Sequence, residues 1–343
     1  MNPGRTFDSG GPTLAETGEA EVLRRLATAA RTPGDPRLAV GSGDDAAVWR
    51  PDPGDQLVIS QDALVEGKDF RRGWITPWQL GRRAVAMAFS DIAGMGAQPA
   101  WCTATLCAPG STELDDLLAI QAGLCRAAAD AGGALIGGDV SDIDGPLVID
   151  VAVGGSGPPE SWLLRHAGIV DDALIVTGRL GRAAAGLRIL LGDDVAAGAT
   201  DREAWLSAWR EPVARIAEGR TLSRAGVRCG GDISDGLLVE AARVADASEC
   251  GAELWLDAIP VDAALSAAFG ADWGAVALGG GEDFELLAAV DPRTATALLA
   301  GWPAGAAPLS VVGRLVEGSG VRVLATEGGE AIAPPPITSR HYR

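Results

Sequence analysis

Histidine and lysine are scarce in this chain, and their scarcity excludes several kinds of site. The 343 residues include two histidines, His166 and His341, and a single lysine, Lys68. A Ser-His-Asp triad or a histidine-rich metal site is therefore not expected. The phosphate-binding loop G-x-x-x-x-G-K-S/T does not occur either, which excludes a Walker-type nucleotide site.

Paired cysteines and long apolar runs are also missing. The cysteines are Cys102, Cys107, Cys125, Cys229 and Cys250. Their number is odd and no C-x-x-C pair occurs, so we expect reduced core residues in a cytoplasmic protein. No apolar run reaches the roughly 20 residues that a membrane helix needs, and no membrane association is predicted.

Basic residues are fewer than acidic residues in this chain. There are 46 acidic and 28 basic residues, and the net charge of −18 argues against nucleic acid or an anionic membrane as a partner. An anionic substrate would need metal bridges or a few well-placed arginines. The length suggests two domains, because single cores stop growing near about 250–300 residues.

Carboxylates beside Gly or Ser recur at five points next to apolar segments. The five are Gly43-Asp44-Asp45, Ser60-Gln61-Asp62, Ser90-Asp91, Gly138-Asp139 and Gly231-Asp232-Ile233-Ser234-Asp235. One such turn is more often structural than functional. Five at or near the ends of apolar segments, where ligands bind in α/β folds, predict an acidic pocket suited to Mg²⁺. We expect Mg²⁺ there to hold a nucleotide by its phosphates.

The strand and helix patterns alternate, which predicts an α/β protein of two similarly built domains. We expect a disordered leader at 1–13, an N-terminal domain at 14–155 and a C-terminal domain at 160–343, divided at the GGSGPP run 154–159. Short strands are predicted at Leu57–Ile59 and Ala134–Gly137, each followed by an acidic turn. A helix from Thr76 to about Gly94 carries Asp91 near its C-terminal end, where a bound cation would offset the unfavourable helix dipole.

Two further features of the second half bear on ligand binding. The glycines 279–281 precede Glu282-Asp283 and allow a backbone to approach a ligand closely. Arg165 follows the domain boundary and is suited to a phosphate, although a solvated surface arginine explains its spacing equally well. Ser234 is expected to cap a helix over Asp235–Ala247.

Seven motifs together resemble the thiamine-monophosphate kinase family of the aminoimidazole ribonucleotide synthetase-like superfamily. They are GDDAAV (43–48), ISQDALVEG (59–67), SDIAGMGA (90–97), GGDVS (137–141), REPVARIAEG (210–219), GDISDGLLVEAARVADASECGA (231–252) and GGEDFELL (280–287). The resemblance implies two α/β domains, with first-domain sheets pairing across a homodimer. It also implies ATP, several Mg²⁺ ions and thiamine monophosphate as the acceptor.

The resemblance also implies roles for individual residues. The metal positions are Asp44, Asp45, Ser60, Gln61, Asp62, Asp91, Asp139, Asp232 and Asp235. The ATP positions are Gly138, Arg165 and Ser234, and the acceptor positions are Asp69 and Glu282. Asp45 and Asp139 are expected to be essential. No catalytic base is expected, because a phosphate monoester is already largely ionised at pH 7; transfer would be direct and in line, without a phosphoenzyme.

The acceptor positions depart from the family pattern. Asp69 in Gly67-Lys68-Asp69-Phe70 stands where the family has a histidine, and the C-terminus lacks the expected aromatic residue. A kinase of another small acceptor on the same scaffold therefore stays open, as does a nucleotide-binding scaffold without turnover. Branches that use a reactive terminal cysteine are disfavoured, since the first cysteine is Cys102 and the last is Cys250.

Overall fold

The computed structural model describes residues 3–29, 35–41 and 46–337, and the chain separates into two compact units. The first comprises Met1–Ile92 and Gln98–Pro159, and the second comprises Ala93–Ala97 and Glu160–Arg343. Both units combine helices with a sheet, as the alternating patterns predicted. The sequence did not predict that the short segment Ala93–Ala97 belongs to the second unit.

The first unit is built on a four-stranded sheet. Its helices are α1 (Leu14–Thr17), α2 (Glu19–Ala29), α3 (Pro77–Gly94, whose last two residues lie in the second unit) and α4 (Leu114–Asp130). Its strands are β1 (Leu38–Val40), β2 (Val48–Trp49), β3 (Gln56–Val65), β4 (Gln98–Ala108), β5 (Ala134–Asp142) and β6 (Val148–Gly157). The sheet has the order β3-β6-β4-β5; β4 and β5 are parallel and the other pairs antiparallel.

The two faces of this sheet differ in burial. Leu64, Val151 and Leu106 alternate with polar or smaller side chains and are at most 4% exposed. On the other face, Leu57 and Ile59 of β3 are 47% and 67% exposed. We call this second face, which also carries Gln61, Asp150 and Asp139, the open face.

Helices α3 and α4 pack together at two glycines. A Cβ atom on Gly123 would lie 2.1 Å from the backbone oxygen of Trp78, and one on Gly81 would lie 2.0 Å from that of Ile120. Such distances exclude any side chain, so the helix backbones touch directly. The apolar stripes of both helices are buried, and α4 contacts β5.

Residues 3–13 of the N-terminal segment include side chains with specific contacts, although a leader without structure was expected over 1–13. Arg5 donates to Asp116 at 2.9 Å and also pairs with Glu113. The backbone N–H of Asp8 donates to the second oxygen of Asp116 at 3.1 Å, and Phe7 is 9% exposed. One arginine and one aromatic side chain thus hold a segment whose Gly and Pro content indicated disorder.

The second unit contains a seven-stranded sheet with helices on both faces. Its strands are β7 (Ala173–Thr177), β8 (Cys229–Ile233), β9 (Gly251–Trp255), β10 (Glu285–Val290), β11 (Leu309–Val316), β12 (Gly320–Leu324) and β13 (Ala331–Ile332). Its helices are α5 (Arg182–Leu191), α6 (Ala199–Arg210), α7 (Ile216–Arg224), α8 (Leu237–Ala247), α9 (Ala263–Phe269), α10 (Trp273–Gly279) and α11 (Pro292–Gly301). The order is β13-β12-β9-β11-β7-β10-β8, and only β9 and β12 are parallel among these pairs.

Alternating residues of the central strands supply two cores. Leu174 and Val176 pack with α8 and α10, whereas Ile175 and Leu286 pack with α7 and α11. A third cluster, around Trp205, joins α5, α6 and α9. The end of β8 and the start of β10 lie side by side, and they adjoin the GDISDG and GGED motifs.

Three of the acidic motifs lie in strands where turns were predicted. Ser60, Gln61 and Asp62 are in the middle of β3, and Gly138-Asp139 is in the middle of β5. Asp232 is the fourth residue of β8. The predicted helix cap is also different: α8 begins at Leu237 after Gly236, whose φ of 98° suits glycine, and Ser234 makes no cap.

Candidate active site

Ser60 brings two of the predicted metal positions together in the first unit. Its hydroxyl donates to a carboxylate oxygen of Asp91 in the last turns of α3. Asp62, two residues further along β3, projects from the same face as Ser60 because strand side chains alternate. Asp91 is half-buried at the negative end of a helix dipole, where a cation would be stabilised. Two carboxylates and a hydroxyl are oxygen donors of the kind that Mg²⁺ prefers.

Gln61 points the other way. It lies on the open face and donates to both carboxylate oxygens of Asp150, at 2.8 and 2.9 Å. The strand alternation therefore separates Gln61 from Ser60 and Asp62, which the resemblance treats as one metal turn.

Asp139 lies far from Asp62 and Asp91 within the first unit. The register aligns Asp62 with Val151, Ala104 and Gly138 in successive strands, so Asp62 and Gly138 are at opposite edges of the sheet. Three strand spacings correspond to about 14 Å. Asp139 is the next residue and faces the opposite side, where Ser141 donates to it at 2.9 Å.

Gly138 has a packing reason for being glycine. A Cβ atom there would lie 2.1 Å from the backbone oxygen of Ala104 in β4. Its predicted contact with ATP is thus not needed to explain the residue type.

No cluster of three or more His, Cys, Asp or Glu side chains poised for a metal occurs within residues 3–29, 35–41 and 46–337. Asp44 and Asp45 lie outside those residues, so their roles stay predictions. In the same described ranges, no helix combines the length and apolar character that a membrane crossing requires.

Two of the predicted residues of the second unit, Arg165 and Asp235, belong to one charged network. Arg165 donates to Glu240 at 2.7 and 3.2 Å, and Arg243 bridges Glu240, at 3.4 Å, to Asp235, at 2.5 Å. Burial raises the pKa of Glu240, although Arg165 and Arg243 oppose this. The network holds Arg165 beside the backbone of Gly231, since a Cβ on that glycine would lie 2.1 Å from Glu240 Oε1 and 3.2 Å from Arg165 Nε.

Asp232 and Ser234 occupy the end of β8 next to the glycine-rich turn. Asp232 is 4% exposed. The backbone N–H of Glu282 donates to the carbonyl of Ser234 at 2.7 Å, and that of Phe284 donates to Ile233 at 3.0 Å. The GGED and DISD motifs are therefore held together by main-chain hydrogen bonds, which places Glu282 beside Ser234.

Glu282 is held in an unusual conformation. Its φ is 70° and that of Phe284 is 50°, values that cost side-chain-bearing residues about 1–3 kcal/mol and occur disproportionately at functional sites. The indole N–H of the fully buried Trp209 donates to Glu282 at 2.7 Å. Sequence reasoning missed Trp209, because nothing in its spacing indicates a partner 73 residues away.

The carboxyl groups of Asp283 and Asp69 both accept hydrogen bonds from backbone N–H groups. Asp283 accepts the N–H groups of Gly181 at 2.8 Å and Ala183 at 3.3 Å, at the start of α5. Burial raises the pKa of Asp283 to about 7, although these hydrogen bonds oppose the rise. Asp69 accepts the N–H of Val65 at 2.8 Å and so closes the turn after β3. This contact accounts for an aspartate at the position where the family has histidine.

Comparison with known proteins agrees with the two-unit architecture. Residues 43–157 match the model of the AIR synthase related protein N-terminal domain, and residues 170–325 match that of the C-terminal domain. The thiamine-monophosphate kinase of Synechococcus elongatus is 36% identical over 294 residues, covering 84% of this chain and 86% of the relative.

Solved structures also match this chain over most of its length. The thiamine-monophosphate kinase of Stenotrophomonas maltophilia K279a is 31% identical with a TM-score of 0.79, covering 90% of this chain and 95% of that one. AaThiL complexed with AMPPCP and TMP is 25% identical with a TM-score of 0.72, covering 94% and 97%. The expected two-domain α/β fold is thereby confirmed, and the chain belongs to the thiamine-monophosphate kinase family of AIR synthase related proteins.

Proposed function

We propose that the protein transfers the γ-phosphoryl group of ATP to thiamine monophosphate, giving thiamine diphosphate, in a reaction assisted by Mg²⁺. The observation that carries the proposal is the contact between Ser60 and Asp91, which sets the oxygen donors of two distant motifs beside each other. A family relative complexed with an ATP analogue and TMP supports the choice of both substrates. The five cysteines are free thiols, which supports a cytoplasmic location.

The residues of the chain would mainly position and neutralise charge. Mg²⁺ held by Asp62 and Asp91 would supply the positive charge that phosphoryl transfer requires. Ser60 orients the Asp91 carboxylate, and Glu240 holds Arg165 for contact with a phosphate. Glu282, fixed by Trp209 and Ser234, faces the acceptor in this proposal. No base is assigned, because the acceptor phosphate is already ionised.

The test is an assay of ADP release with Mg²⁺ and thiamine monophosphate. We expect Asp62→Asn and Asp91→Asn each to lower kcat by about two to three orders of magnitude, as loss of one preorganised electrostatic group does. Asp52→Asn is the control, because Asp52 is 62% exposed and pairs with Arg37 only at 3.8 Å. Chelation of the metal should abolish turnover.

Three results would contradict the proposal. They are turnover that persists without a divalent metal, full activity of Asp62→Asn, and absence of any reaction with thiamine monophosphate. In the last case, a panel of phosphorylated and free acceptors would distinguish a kinase of another acceptor from a scaffold without turnover.

A further inference from the structure

The second unit contains a cavity of about 470 Å³ that none of the predicted metal or ATP residues lines. Its walls are the turn from β7 into α5, the end of α6 with the loop to α7, the start of β10, and residues 305–308. This volume is within the ~300–1,000 Å³ range of small-molecule sites. All lining residues belong to the second unit, so the cavity is complete within it.

Two arginines at the start of α5 share one carboxylate beside this cavity. Arg179 donates to Asp262 at 2.6 Å, and Arg182 donates to the same group at 2.7 and 2.8 Å. Although Asp262 is partly buried, its pKa is lowered by Arg182 and Arg179, so it is ionised and neutralises only one of them. Arg179, Arg182 and Asp262 together therefore carry one net positive charge.

The arginines also keep hydrogen-bonding capacity. Each guanidinium carries five N–H groups. Among the described residues, the bonds to Asp262 occupy one of them in Arg179 and two in Arg182. The side chains are 50% and 37% exposed, so both present N–H groups at the cavity while their shared carboxylate limits their motion.

The other charged groups that line the cavity also have partners. Arg215 donates to Glu285 at 2.7 and 2.6 Å, which makes a neutral pair, and Asp283 accepts two N–H groups of α5. Glu211 is the remaining lining carboxylate. It opposes an anion in the cavity, and its removal should therefore favour one.

Apart from Ser207, the rest of the wall consists of apolar residues and glycines. It includes Ala204 and Ala208 of α6, Pro212, and Val213, whose side chain is 58% exposed. An exposed valine at a cavity that also presents guanidinium groups favours a ligand with an anionic group and an apolar body.

We propose that this cavity binds a small organic anion, its phosphate or carboxylate group held by Arg179 and Arg182 and its apolar part against the end of α6. Guanidinium groups recognise both kinds of anion through paired N–H···O bonds. None of the predicted metal or ATP residues lines this site, and the proposal does not depend on the proposed kinase activity.

Calorimetric titration of the full chain tests this, first without and then with AMPPCP and Mg²⁺, which occupy the predicted nucleotide site. The probes are phenyl phosphate, benzoate and inorganic phosphate. We expect phenyl phosphate or benzoate to bind more tightly than inorganic phosphate, and the tighter of the two identifies the anionic group.

Three variants make the test specific. Arg179→Ala should weaken binding about tenfold through the loss of charge-assisted hydrogen bonds. Arg188→Ala is the matched control, because Arg188 is on α5, is 51% exposed like Arg179, and pairs with one aspartate, Asp193, outside the cavity. It should leave binding unchanged, and Glu211→Gln should tighten it.

The proposal is overturned if neither organic probe binds at millimolar concentration, or if Arg179→Ala and Arg188→Ala have equal effects. Weaker binding in Glu211→Gln, or loss of binding once the nucleotide analogue is present, would overturn it too. Because the readout is heat of binding, a failure of kinase turnover would not affect the result.

Discussion

Asp283 is a carboxyl group that changes protonation near neutral pH because it caps α5 from a buried position. Its pKa is raised by burial from 3.8 to about 7. Between these values the folded chain holds a proton that the unfolded chain has released. The contribution of Asp283 to stability is therefore present at low pH and is lost as pH rises through about 7.

This gives a pH-dependent prediction. The free energy of unfolding should fall between pH about 4 and about 7 by up to about 1.4 kcal/mol per pH unit from this group, and Asp283→Asn should remove that part of the slope. Urea titrations across this range measure it. The control is Asp291→Asn, since Asp291 caps α11 from an exposed position and its pKa is lowered. Equal slopes in the wild type and Asp283→Asn would contradict the assignment.

Other residues show how far single positions can be read from a sequence. The resemblance singles out Glu282, but the contacts that hold it come from Trp209 and Ser234, which are remote along the chain. Asp69 was assigned to the acceptor, whereas its carboxylate bonds the backbone of Val65. Which atom a side chain faces depends on folding partners that spacing does not reveal; the site assignments themselves stay predictions.

Among secondary-structure elements, helix α3 was predicted from the sequence and strand β4 was not. The helix expected from Thr76 to about Gly94 agrees with α3 within a residue. In contrast, β4 at the centre of the first sheet was not predicted. Its buried positions, such as Ala100, Cys102 and Ala104, are small, so its period of two carries little hydrophobic signal.

The motif Ser60-Gln61-Asp62 was predicted as a turn because the strand before it was predicted to be shorter than β3 is. The apolar run 57–59 was expected to be a whole strand, but β3 continues to Val65 because each of its residues from 56 onward pairs with β6. The sequence alone shows polar Ser60-Gln61-Asp62 and suggests a break. Pairing with a neighbour is a long-range property, and it overrides local turn propensity.

The glycine contact between α3 and α4 leads to a prediction about packing. Gly123→Ala should lower the free energy of unfolding by about 1–3 kcal/mol, because its Cβ would meet the backbone of Trp78, which cannot rotate away. Chemical denaturation measures the change. Gly301→Ala is the control, since a Cβ there meets no atom within 4 Å. An unchanged stability of Gly123→Ala would show that the helices can separate without cost.

At the scale of the whole molecule, the open face of the first sheet leaves Leu57 and Ile59 exposed on a strand at the sheet edge. Exposed apolar side chains on a flat sheet favour association with another surface. We propose that the open face mediates the homodimer that the resemblance implies.

Sedimentation or light scattering tests this assembly. The wild type should have twice the mass of the chain, and Ile59→Lys should shift it toward the monomer, because a lysine at the interface would bury an unpaired charge. Ile169→Lys is the control, with an isoleucine equally exposed (69% against 67%) but in the second unit. A monomeric wild type, or equal masses in both variants, would contradict the proposal.

The anchoring of the N-terminal segment has a practical consequence for protein engineering. Asp116 is fully buried, and its oxygens accept from the Arg5 side chain and the Asp8 backbone. Trimming the chain to start at Leu14 would delete both donors and remove the segment that packs on Asp116, and we expect it to lower the stability of the first unit. The opening residues are thus a poor place for shortening, and a fusion partner attached there should leave Arg5 onward intact.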